Sequence, residues 1–237
     1  MRSRPADRVD IDLSPRCGII GPVAPLEKAM TNEDVPELHS IWDEARVSIE
    51  QGDYDKAIET YRYILIRYPD EPIAVEHANA YLGDIFLTLR ELEAAETHIK
   101  KAINIKPEKP DYHYILGFIC SIGRRWGEAI QEFEKALEKN RENGEYLRGL
   151  GWAVYCSGDK PRGLSCLEEA HRVQPNNANI MTDLAVAHMS YLNTDKAVQY
   201  AEEAVLTDPT STTAQDVLEK VRRFTRVLRQ EGTTEQA

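Results

Sequence analysis

Histidines at 39, 77, 98, 113, 171 and 188, together with four cysteines, are the side chains of this sequence best suited to bind a metal or attack a substrate. Their spacing supports neither chemistry. None stands three or four residues from another histidine or cysteine, the interval that puts two ligands on one helical face. No glycine-rich phosphate loop follows a strand pattern, and the carboxylates fall where a helix would turn its solvated side outward. Cys120, Cys156 and Cys166 sit inside helical patterns and read as small, reduced, buried apolar residues. No metal, cofactor or enzymatic activity is expected. Recognition is the chemistry that remains. Tyr114 and Phe118 are one helical turn apart, as are Trp152 and Tyr155, and Phe118 and Trp152 are 34 residues apart. Aromatic rings with arginine nearby (here Arg148) are what protein interfaces use for their strongest contacts.

That interval of 34 runs through the chain. Ala129, Phe133 and Ala136 are matched by Ala95, Ile99 and Ala102, by Gly163, Leu167 and Ala170, and by Ala197, Ala201 and Ala204. An earlier copy, Ala57, Tyr61 and Ile64, lies 38 residues before Ala95. In step with these, Gly83, Gly117, Gly151 and Ala185 each follow a leucine, and Ala45 precedes Gly83 by the same 38. Pro69, Pro107, Pro175 and Pro209 mark the ends, with Arg141 in the remaining slot. The four-plus-three spacing places each triplet on one face of a helix, and a period of 34 describes a repeated helix–turn–helix unit. Two antiparallel helices joined by a short turn must approach closely, so glycine or alanine is needed where they cross. No single pair buries its apolar face alone, and stacking does so. The turns QGDYD (51–55), CSGDKP (156–161) and LNTD (192–195) supply glycine or asparagine to end one helix and aspartate or threonine to cap the next.

These offsets resemble the tetratricopeptide repeat family. The predicted fold is all-α, a right-handed α-solenoid of five repeats at 38–71, 76–109, 110–143, 144–177 and 178–211. A capping helix at 212–229 follows, with Val217, Leu218, Val221, Phe224 and Leu228 on its apolar side. Residues 1–36, with five prolines and no apolar period, read as a mobile arm, and 230–237 as a disordered tail. Four residues inserted between the first two repeats imply a longer helix or loop. The family's early tryptophan is replaced by Ile41, Asn79, His113, Leu147 and Met181. Gly163 stands where alanine is usual and is expected to loosen its repeat by about 1 kcal/mol.

The resemblance implies that the first helix of each repeat lines a concave groove. Residues placed there include Trp42, Arg46 and Asp84, then Tyr114 and Phe118, then Arg148, Trp152 and Tyr155, and finally Val186 and Met189. Some members grip a partner's C-terminal carboxylate with lysine, asparagine and arginine from three consecutive repeats. The equivalent positions here do not carry that set: the first window, for example, reads Trp42, Arg46, Tyr81, Asp111 and Ile115.

A net charge of −11 disfavours phosphate backbones and anionic membranes. No apolar run reaches the roughly 20 residues of a membrane span, and no secretory signal is read, so the expected location is cytoplasmic. The expected function is a non-enzymatic scaffold holding a protein or peptide segment with apolar and basic residues. The apolar, proline-extended stretch CGIIGPVAPL (17–26) of its own arm is a candidate occupant. The alternative is a structural assembly subunit that docks through its convex face or through the basic final helix, KVRRFTRVLR (220–229).

Overall fold

The computed structural model describes residues 35–234, and side chains within 37–229. Residues 1–34 of the proposed arm, and its occupancy of a groove, lie outside the described residues, while residues 35 and 36 open the first helix. Among the described residues there are eleven α-helices and no strand. They are α1 (Val35–Glu50), α2 (Tyr54–Arg67), α3 (Pro72–Thr88), α4 (Leu92–Ile105), α5 (Pro110–Ile122) and α6 (Trp126–Lys139). Then come α7 (Gly144–Ser157), α8 (Lys160–Val173), α9 (Ala178–Ser190), α10 (Thr194–Thr207) and α11 (Thr212–Thr234). The chain divides into two compact units, one ending at residue 139 and the other covering residues from 140 on.

In the first unit α1 packs on α2, α3 on α4 and α5 on α6, while α2 against α3 and α4 against α5 join the pairs. The second unit repeats the scheme with α7–α8 and α9–α10, and α11 lies on both α9 and α10. Small residues make the approach possible. A Cβ on Gly117 would stand 2.8 Å from the Phe133 ring, and one on Gly151 would stand 3.0 Å from the backbone nitrogen of Leu167. Ala57, Ala95, Ala129 and Ala197, the first alanines of their triplets, are fully buried.

The four inserted residues lengthen α3. It begins at Pro72, a residue suited to the first helical turn because it has no N–H to leave unpaired. The last helix continues to Thr234, past the 229 at which the sequence reading ended it. Helix formers fill 226–231, and Gly232 weakens a final turn by only about 1 kcal/mol.

The turns share one conformation. Gly52 and Gly158 have φ of 76° and 112°, and Arg90, Arg124 and Leu192 occupy the same slot with φ of 65°, 56° and 60°. A left-handed residue stops each first helix so that the chain can reverse. Asp53 and Asp159 then cap α2 and α8, accepting from the backbone N–H of Lys56 and Arg162. In LNTD the roles are shifted by one from expectation. Leu192 takes the left-handed position and Asn193 the N-cap, so asparagine begins α10 rather than ending α9.

Two of the replaced tryptophan slots carry polar links. Asn79 Oδ1 lies 2.9 Å from His98 Nδ1, and His113 Nδ1 lies 2.7 Å from Glu132 Oε2. Each joins the first helix of its pair to the second across the same interval of 19 residues. First helices of successive pairs are also pinned by buried charge. The Tyr112 hydroxyl donates to Glu76 at 2.6 Å, with Lys109 3.6 Å from the same carboxylate.

Candidate functional site

The candidate groove residues lie on first helices, five in each unit, and the units are described in turn. On α1, Trp42 is half-buried. Its ring meets Tyr61 of α2 at 5.2 Å and Tyr81 of α3 at 5.6 Å, both edge-on, and His77 at 5.9 Å. Tyr61 and Tyr81 stack at 5.2 Å, so α1, α2 and α3 share one aromatic cluster. Arg46 is exposed and bonds Glu50 at 2.6 Å and Asp43 at 3.6 Å on its own helix.

Asp84, one turn beyond Tyr81, has a different environment. Its Oδ1 is buried and has no hydrogen-bond partner, and burial pushes its carboxyl up to about 6. The Tyr61 hydroxyl is also buried and unpartnered. Asp84 acts electrostatically on that phenol, whose pKa is raised mainly by burial.

On α5, Tyr114 and Phe118 meet edge-to-face at 5.4 Å, and both approach Phe133 of α6, at 5.8 and 6.2 Å. Phe118 retains 6% of its surface. The open aromatic pair expected from the sequence is therefore largely packed away. Phe133, needed to fill the space between α5 and α6, also offers its ring to both residues.

In the second unit Arg148 is buried and committed. It donates to Asp183 at 3.1 Å and to Glu145 at 2.9 Å, while Asn177 donates to the other oxygen of Glu145 at 2.6 Å. Burial raises the Asp183 carboxyl to about 6, with Arg148 pulling it back. This arginine joins α7 to α9, which leaves it poorly placed to meet a ligand. Trp152 is half-buried and stacks on Tyr155 at 5.5 Å, 12° from parallel. The Tyr155 hydroxyl shares a hydrogen bond with Ser190. Val186 and Met189 pack with Ala197, Ala201, Val217 and Val221, so α11 covers the two apolar residues that the sequence reading placed in the groove.

Two features escaped the sequence reading. One is the Tyr61–Tyr81 stack, which brings a triplet residue of α2 into the same cluster as Trp42. The other is the isolation of Asp84, which depends on neighbours from other helices. Among the described residues no group of three His, Cys, Asp or Glu could hold a metal, and no helix is long and apolar enough to cross a membrane. Cys120 is buried, its thiol pushed up to about 11 by burial, so it is a poor nucleophile near neutral pH.

Residues 43–113 match the family model described as Tetratricopeptide repeat. Mouse Superkiller complex protein 3 is 27% identical over 133 residues, which is 54% of this chain and 8% of that much longer protein. Among solved structures, TTC0263, a thermophilic TPR protein of Thermus thermophilus, superposes with a TM-score of 0.65 at 16% identity. The match covers 76% of this chain and 98% of that one. MamA gives 0.58 at 19% identity over 70% and 94%. YrrB, whose structure is described as a TPR protein with an unusual peptide-binding site, gives 0.54 at 19% identity over 74% and 88%. At these identities the likeness is one of fold.

Proposed function

We propose that the chain, whose residues 43–113 match the Tetratricopeptide repeat model, is a non-enzymatic scaffold that captures a peptide segment of a partner on the first helices of its first unit, α1, α3 and α5. The observation that carries this reading is the half-open Trp42 cluster. A half-buried aromatic ring is held by Tyr61 and Tyr81, and the Tyr61 phenol of the same cluster feels the field of Asp84, whose buried Oδ1 has no hydrogen-bond partner. Rigid aromatic anchors give contact area without losing side-chain entropy on binding. Trp152 gives the second unit a half-buried aromatic ring of its own. The peptide-binding site in the description of YrrB lends the reading support by analogy of fold alone.

The test is selection of a randomised peptide library on the full chain, followed by affinity measurement with the enriched sequence. Trp42→Ala lowers that affinity about tenfold or more in this reading, and an unchanged affinity overturns it. A chain lacking residues 1–30 tests self-occupancy by the stretch 17–26, which requires tighter binding of the selected peptide when it is removed. Equal affinity dismisses self-occupancy.

A second reading has one observation in its favour. Lys220, Arg223 and Arg226 are exposed along α11, whereas Arg222 is paired with Glu202 at 2.8 Å. If assembly through that helix is the function, reversing those three charges abolishes partner binding and Trp42→Ala spares it.

A further inference from the structure

The least explained group in the first unit is the Asp84 carboxylate. Buried polar atoms are almost always paired, and an unpaired one asks for a cause. Asp84 Oδ1 is buried without a partner, and so is the Tyr61 hydroxyl within reach of its field. The one hydrogen bond to this residue from Thr88 goes to its backbone carbonyl, at 2.9 Å, and does nothing for the side chain. Arg46 of α1, whose charge is also felt at Tyr61, is tied to Glu50 and Asp43. Asp84 belongs to no cluster that could bind a metal. Asp84 is linked to its surroundings by its field at Tyr61, whose ring is stacked with Tyr81 and meets Trp42 edge-on. An unpartnered carboxylate close to an aromatic cluster suits one ligand chemistry, a cation on an aliphatic stem. The charge meets the carboxylate while the stem lies on a ring, and ring faces themselves attract cations.

We propose that Asp84 sets the specificity of the first unit by receiving a lysine or arginine side chain of the captured peptide, with the stem of that side chain against Trp42. The proposal rests on the peptide-binding reading above and adds to it the identity of one ligand residue. A lysine ammonium or an arginine guanidinium supplies the donor that the carboxylate lacks. The acidic balance of the whole chain favours the approach of such a segment.

The experiment selects a randomised peptide library in parallel on the wild-type chain and on Asp84→Asn, with circular dichroism confirming that both are folded. The wild type enriches a motif with apolar positions and one fixed lysine or arginine. Asp84→Asn keeps the apolar positions and loses the basic one. The wild-type peptide with that lysine replaced by norleucine, or that arginine by citrulline, binds the wild type roughly ten- to a hundredfold more weakly and Asp84→Asn no more weakly than its parent does. An apolar motif without a fixed cation overturns the role of Asp84 and leaves the peptide reading standing. So does a basic preference that survives in Asp84→Asn. No enrichment on either chain overturns the peptide reading, and the proposal falls with it.

Discussion

Gly163→Ala is predicted to destabilise the α7–α8 pair, although alanine is the better helix former. An added Cβ would lie 2.6 Å from the backbone nitrogen and Cα of Tyr155, and equally close to its Cβ. Ordinary carbon contacts are near 3.5–4.0 Å, so the helices must separate by most of an ångström. The obstacle is backbone, which cannot rotate out of the way. Overpacking of this kind costs about 1–3 kcal/mol, against a propensity gain of at most about 1 kcal/mol. The net loss is about 1–2 kcal/mol. Gly127→Ala in α6 is the control, because nothing lies within 4 Å of the Cβ it would add. It gains up to about 1 kcal/mol with no clash, less if its place in the first turn limits the propensity term. Repeat arrays need not unfold in one step. The assay is therefore urea denaturation followed by circular dichroism, paired with amide exchange resolved to α7 and α8. A Gly163→Ala chain as stable as the wild type, or more stable, with unchanged protection in those helices, refutes the close-approach argument.

The left-handed slot makes a second prediction: Leu192→Gly stabilises by about 1 kcal/mol, because a side chain at φ of 60° is strained and Leu192 is exposed. A lower urea midpoint for Leu192→Gly counts against it. A third concerns pH. His113 is raised from its usual 6.5, chiefly by its hydrogen bond to Glu132. Its contribution is present in full below 6.5 and is lost as pH rises through the higher folded value. Glu132 is lowered by His113 and Lys135 in spite of its burial. Its contribution therefore holds above the ordinary glutamate value and is lost as pH falls through the lower folded one. The stability of wild type minus His113→Gln, measured by denaturation across the pH range, is largest between those limits and declines on both sides. A difference that does not vary with pH would contradict the ion pair.

Much of the fold could be read from side-chain size recurring at a fixed interval. Gly117, Gly151 and the triplet alanines mark helix crossings because contact between neighbouring helices is periodic when the helices are. What could not be read depends on distances between particular atoms. Gly163 looked like a weakened alanine, yet Tyr155, eight residues earlier, comes close enough to require glycine. Gly52 and Gly158 revealed the turn conformation, whereas Arg90, Arg124 and Leu192 hid it, since the antiparallel packing of the helices imposes that backbone whatever the side chain. In the site, residue type placed Trp42 in the groove without distinguishing it and overrated Phe118, which packs against Phe133 of another helix. Arg148 read as a ligand group because its partner, Asp183, lies on the next first helix and only the folded chain brings them together. The isolation of Asp84 had no signature in the sequence, since a missing partner leaves no residue to notice.

α11 stands to α9 and α10 as α9 stands to α7 and α8: it packs on both helices of the preceding pair. It therefore fills the berth that the opening helix of a sixth pair would need. Val217 and Val221 face inward, while Glu219, Lys220, Arg222 and Arg223 are turned to water. The outer side of α11 thus presents these charges where an opening helix would present the apolar face that a following pair needs.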